Sequence, residues 1–215
     1  MKTSIAMLAK APVAGRVKTR LVPALTPEAA ARVARGCLEI SIRRFVPAVP
    51  APFTLFVEGT SDAELLELAA SVRVPIVPQA GADLGARLRA AFAALRAGGA
   101  DATIAVGSDS PTLDPARIRE AVVALESHQA VLGPAEDGGY YLIGVRGDAP
   151  GMFEGIPWST SDVARRTLER AADLGMSVRC LPAWYDVDDL PSLERAIADV
   201  DPRYRALIEL PALST

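Results

Sequence analysis

The chain has 215 residues and a formal net charge of −3, with half of its residues hydrophobic and 23% charged, which suits one globular domain spanning 1–215. That balance argues against a nucleic-acid partner, no apolar run approaches the roughly 20 residues of a membrane span, and the first apolar run stops at Lys10, too short for a signal-peptide core. One histidine and two distant cysteines, Cys37 and Cys180, are too few for a zinc site, so a bound metal would need carboxylates, which selects Mg2+ or Mn2+. The two thiols read as reduced, in a cytoplasmic protein.

In chain order, TSIAMLA reads as a first strand. Thr26 followed by Pro27 makes a helix start, and Ala30, Val33, Ala34, Cys37, Leu38 and Phe45 recur at helical spacing as its buried face. FTLFVE (53–58) is a second strand and SDAELLELAA a helix. VPIVPQ (74–79) is a third strand, and a helix over 85–97 follows the turn GADL. The stripe VRVPIVP serves either as buried strand or as a subunit contact in a homo-oligomer. DATIAVGSD (101–109) is a buried strand ending in small polar residues, after which Asp114–Pro115 opens another helix. AVLGP and YYLIGV enclose the turn AEDGG. Ser159 and Asp162 stand at capping-box spacing before a helix over 162–174. MSVRCL alternates as a late strand, and PSLERAIADV is the last helix. The alternation predicts an α/β fold: three layers, with helices on both faces of a mostly parallel sheet.

Such sheets bind ligands beyond the carboxyl ends of their strands. Three groups fall there. The loop KAPVAGRVKTRL after the first strand carries Lys10, Arg16, Lys18 and Arg20, with Gly15 allowing a tight turn. Compact cations and close backbone N–H groups suit phosphate, although Val17 and Pro12 stand where a Walker A loop needs glycine. Asp109 in VGSDSPTL is a fixed anionic oxygen for a hard cation, and its alternative use as a helix cap is better filled by Asp114. In YDVDDLPSL, Asp189 is placed to cap a helix, which leaves Asp186 or Asp188 as a second metal ligand. Gly138 and Gly139 either close a hairpin or let the backbone approach a ligand. His128 near a helix end reads as structural.

Together AKAPVAGRVKTRL, QAGADLGARL, GSDSPTL, GPAEDGGYYLIG and VDDLPSL resemble nucleotide-dependent transferases of the nucleotide-diphospho-sugar transferase (GT-A) fold. The particular likeness is to a family related to 2-phospho-L-lactate guanylyltransferase and molybdenum-cofactor guanylyltransferase. Some of its members carry the label of arsenosugar-type glycosyltransferases. The resemblance implies that Lys18 and Arg20 sit on phosphates, that Asp109 binds the catalytic metal and that Asp188 is its second ligand. It also implies that Gln79 and Arg87 lie towards the nucleotide or the acceptor. The chain lacks the glycine-rich run of classical nucleotidyltransferases, and Ser110 stands where sugar transferases carry a second aspartate. Both a nucleoside triphosphate and a nucleotide-diphosphate sugar are therefore donors to consider. A nucleotide-binding module without turnover is a third reading.

Overall fold

A computed structural model describes residues 1–209. The elements in order are β1 (Thr3–Lys10), α1 (Pro27–Ala48), β2 (Phe53–Glu58), α2 (Ala63–Ser71), β3 (Ile76–Pro78), α3 (Leu84–Ala97), β4 (Ala102–Gly107), α4 (Pro115–Ala124), β5 (Ala130–Pro134), β6 (Tyr140–Arg146), α5 (Val163–Asp173), β7 (Val178–Cys180) and α6 (Leu190–Asp199). Short 3₁₀ turns cover Thr19–Leu21 and Pro202–Leu207.

The seven strands form one sheet in the order β3-β2-β1-β4-β6-β5-β7. All pairs are parallel except those of β6, which runs antiparallel to both β4 and β5. The hairpin around AEDGG thus inserts one reversed strand, and the expected mostly parallel α/β sandwich results. The apolar stripe reaching β3 lies at the sheet's edge, where Ile76 and Val77 are half-buried.

Alternation along β1 splits its side chains between two cores. Ile5 and Met7 join Leu38 and Phe45 of α1, Leu65 of α2 and Ile118 of α4 on one face. Ala6 joins Leu88 and Phe92 of α3 and Ala171 of α5 on the other. A third cluster packs Val33, Cys37 and Ile40 of α1 against Leu21, Val187 and Leu193. Of the expected α1 face, only Ala34 escapes full burial, and it borders the functional cleft instead.

Helix starts follow the local signals. Thr26 accepts from the Ala29 N–H, Asp114 from Ala116, and Asp189 forms a reciprocal capping box with Ser192; each such cap is worth roughly 1 kcal/mol. The expected Ser159–Asp162 box does not form. The Asp162 carboxylate is taken by Arg165 at 2.9 Å, and Ser159 turns left-handed (φ 65°), so α5 starts at Val163 without a side-chain cap. Cys37 is buried and Cys180 exposed, both as free thiols. Among the described residues, no helix is long and apolar enough to cross a membrane.

Candidate active site

Parallel strands bring the ends of β1, β2, β3 and β4 to one edge of the sheet, beside a cleft of about 390 Å³. Its cationic wall is the loop after β1. Gly15 adopts φ +76° and the Arg16 N–H returns to the Val13 carbonyl at 3.0 Å, which tightens the turn. Val17 and Leu21 are buried and pin the loop, while the interleaved Arg16, Lys18 and Arg20 border the cleft.

Lys18 carries the sharpest geometry. Its backbone is left-handed (φ 48°, ψ 40°), a conformation that costs a non-glycine residue about 1–2 kcal/mol. Its side chain is only 5% exposed, and Nζ donates to Asp109 Oδ1 and approaches Asp188 Oδ1 at 3.4 Å. Burial alone would lower the pKa of this ammonium. The charges of Asp109 and Asp188 outweigh that and hold it above its ordinary value. Arg20 lies further out, with NH1 3.6 Å from Asp188 Oδ2.

The two carboxylates come from segments far apart in the chain. Asp109 follows β4, where the Ser108 carbonyl accepts from Ser41 Oγ of α1. The Asp109 carbonyl in turn accepts from the Val187 N–H at 2.8 Å, which ties the segment carrying Asp188 to the end of β4. Asp188 is further fixed by its own N–H on Ser192 Oγ at 3.0 Å. Asp186 turns elsewhere: its carboxylate accepts from Ser110 Oγ, and burial pushes it up to about 7. Of the two aspartates left open by spacing, Asp188 is the one that meets Lys18. Among the described residues, no group of three or more His, Cys, Asp or Glu forms a metal cage.

The opposite wall contains Arg87 and Gln79, and here the structure adds a residue that motif reading missed. Glu58, at the end of β2, receives both terminal nitrogens of Arg87, at 2.5 and 2.9 Å. Those hydrogen bonds pull the Glu58 carboxyl below its ordinary range. Arg87 is therefore charge-matched, and Lys10 Nζ stands 4.0 Å from the same carboxylate. A carboxylate ending the strand FTLFVE was the available signal. Gln79 Nε2 donates to the carbonyls of Ala9 and Phe56, both at 2.9 Å, and so laces strand ends together while bordering the cleft. Leu84 and Leu88 of QAGADLGARL and Tyr140 and Ile143 of GPAEDGGYYLIG supply an apolar side together with Leu8.

Gly138 and Gly139 are not brought to this cleft. Gly138 has φ +90°, and a Cβ there would lie 2.0 Å from the Ser161 carbonyl oxygen. Its close approach is to the loop before α5.

The mostly parallel seven-stranded sheet with helices on both faces matches the nucleotide-diphospho-sugar transferase fold. The chain belongs to the bacterial family described as "Uncharacterized protein conserved in bacteria (DUF2064)", whose profile matches residues 42–160. A protein from Desulfovibrio desulfuricans G20, provisionally named a nucleotide-diphospho-sugar transferase, is 31% identical with a TM-score of 0.85, over 97% of this chain and 94% of that one. More distant structures share the fold. A cytidylyltransferase from Leptospira borgpetersenii is 14% identical with a TM-score of 0.63, over 97% and 92% of the two chains. A nucleotidyl transferase from Methanothermobacter thermautotroptrophicus is 16% identical with a TM-score of 0.61, over 90% and 95%. No curated protein matches the chain.

Proposed function

We propose that the chain is a divalent-metal-dependent transferase, one domain over 1–215, that moves a nucleotidyl group from a nucleoside triphosphate to a small anionic acceptor. The observation that carries this reading is the convergence of Lys18, Arg20, Asp109 and Asp188 in one strand-end cleft.

Charge decides what such a cleft accepts. Lys10, Arg16, Lys18, Arg20 and Arg87 border it against Glu58, Asp109, Asp186 and Asp188, so the protein alone is close to neutral there. A triphosphate brings several negative charges that this balance does not meet. Asp109 and Asp188 both turn an Oδ1 towards a single ammonium, so their oxygens already converge on a cation-sized point. Two carboxylates, with ligand phosphates completing the shell, are a donor set that suits magnesium or manganese. The ion, when bound, supplies Lewis-acid neutralisation of phosphate charge.

The chain's own residues do the rest. Lys18 and Arg20 bind phosphate oxygens and meet the charge that builds on them in the transition state. Arg16 orients phosphate from the same loop, and the leucine-lined side excludes water. The acceptor's phosphate or hydroxyl then attacks the donor's α-phosphorus in line, the bond from that phosphorus to the bridging oxygen breaks and pyrophosphate leaves, with rate arising mainly from positioning. This fits a chain with a single histidine.

A glycosyl transfer from a nucleotide-diphosphate sugar is the second reading, supported by the name of the 31% identical relative. Thermal shift against GTP, CTP, ATP, UTP, UDP-glucose and GDP-mannose, with and without magnesium, tests both. A metal-dependent shift with a triphosphate is expected, GTP first among them because the motifs resemble guanylyltransferases. Phosphorus NMR of the turnover mixture then separates pyrophosphate, expected here, from the nucleoside diphosphate that glycosyl transfer releases. A shift confined to sugar nucleotides overturns the first reading, and no shift with any ligand overturns both.

A further inference from the structure

Lys18 occupies the point at which Asp109 and Asp188 would share a cation. Its ammonium takes the Oδ1 atom of each, and its side chain is 5% exposed, whereas those of Asp109 and Asp188 are 50% and 39% exposed. The lysine therefore reaches the pair from the protein side, and the carboxylates open to the cleft. Arg20 covers the other Asp188 oxygen from outside. The Lys18 backbone is held left-handed between the buried anchors Val17 and Leu21, so the ammonium is delivered by a strained, well-anchored residue rather than by a floppy one.

From this geometry we infer that Lys18 is the resident counter-cation of the Asp109–Asp188 pair: it competes with a divalent ion for the same oxygens until donor phosphates draw its ammonium away. The inference rests on the metal-dependent reading above. A lysine with two carboxylates is satisfied in the absence of ligand. Phosphate oxygens offer that ammonium alternative acceptors, and the move leaves two anionic oxygens without a counter-charge beside the incoming phosphates. Binding of the ion and of the donor is thereby coupled, because each removes an unfavourable charge left by the other. A site with this design binds metal weakly by itself and strongly with its donor. That suppresses occupation by metal alone.

Mn2+ binding to the whole protein without nucleotide, followed by water-proton relaxation, tests the competition directly and requires no turnover. Lys18→Met removes the ammonium while keeping the apolar stem, and Lys18→Gln keeps a neutral donor if the methionine variant folds poorly. At least tenfold tighter Mn2+ binding than wild type is expected in a folded variant, with the gain abolished by adding Asp109→Asn. Equal or weaker Mn2+ binding in the variants overturns the inference. The two proposals fail separately. A metal-dependent nucleotide shift without gained Mn2+ affinity leaves the function standing and removes the lysine's competing role. Gained affinity without any nucleotide shift keeps the lysine's competition for the two oxygens but removes both the proposed function and the release of the ammonium by donor phosphates.

Discussion

The backbone N–H of Val187 donates to the Asp109 carbonyl at 2.8 Å, and through that bond the loop after β7 is docked on the end of β4. The consequence is that Asp109 and Asp188, set by different strands, have a fixed separation before any ligand arrives. Preorganised charge of this kind is what electrostatic catalysis requires, since no reorganisation is then needed during reaction.

Loss of either member of the central ion pair should damage turnover far more than folding. Lys18→Ala and Asp109→Asn are each expected to lower kcat by about 100-fold or more, the usual scale for one preorganised contact. The Lys18→Ala melting temperature should stay within a few degrees of wild type, because the Asp109 side chain is 50% exposed and water can solvate it; Asp109→Asn leaves the buried Lys18 ammonium with Asp188, so its turnover is read per folded molecule. Near-normal turnover in Asp109→Asn would remove the metal assignment.

Asp186 gives a pH dependence with a definite sign. Burial holds its carboxyl up to about 7 in the folded chain, against about 3.9 for an unfolded aspartate. Between those values the folded state binds the extra proton, so this group's contribution makes stability fall as pH rises. Asp186→Asn removes that penalty. In chelator-treated protein its stability advantage should grow from near zero around pH 4 to about 2–4 kcal/mol at pH 8. Urea midpoints at several pH values measure it, and a constant difference across the range would show that Asp186 does not titrate as its burial requires.

The two thiols should behave oppositely. Burial pushes Cys37 up to about 12 and closes it to reagents, whereas Cys180 lies exposed at the edge strand β7. A thiol reagent at neutral pH should therefore label Cys180 quickly in the native chain and reach Cys37 only on unfolding. Rapid labelling of Cys37 would contradict the packing of α1 against the third cluster.

Gly138→Ala separates a packing glycine from a ligand-binding one. The added methyl meets the Ser161 backbone, and φ +90° is unfavourable for alanine. A loss of about 2 kcal/mol or more in unfolding free energy is expected. Nucleotide affinity of the folded fraction should remain at the wild-type level. A stable variant with weakened nucleotide binding would instead return Gly138 to the ligand.

Much of this was legible because the signals are local. Strand and helix periodicity, Thr26–Pro27, Asp114–Pro115 and the Asp189 cap act within a few residues of themselves, so they read correctly without knowledge of what packs around them. Placing cations after one strand and carboxylates after two others was sufficient to foresee a common edge: β1 and β4 pair in parallel, and β7 regains their direction through two antiparallel pairings with β6.

Side-chain partnerships were not local, and they decided the site. Asp186 and Asp188 are equivalent by alternation, yet Ser110 takes one and Lys18 the other. Arg87 borders the cleft as the resemblance implied, but its pairing with Glu58 at the end of β2 was not legible. Gly138 looked open to a ligand until the loop before α5 filled its surroundings. The residue types and their strand-end positions were thus determined by the sequence itself. Which charge faces which was decided only by tertiary structure, because ion pairing depends on distance through space, and the partners here are far apart in the chain.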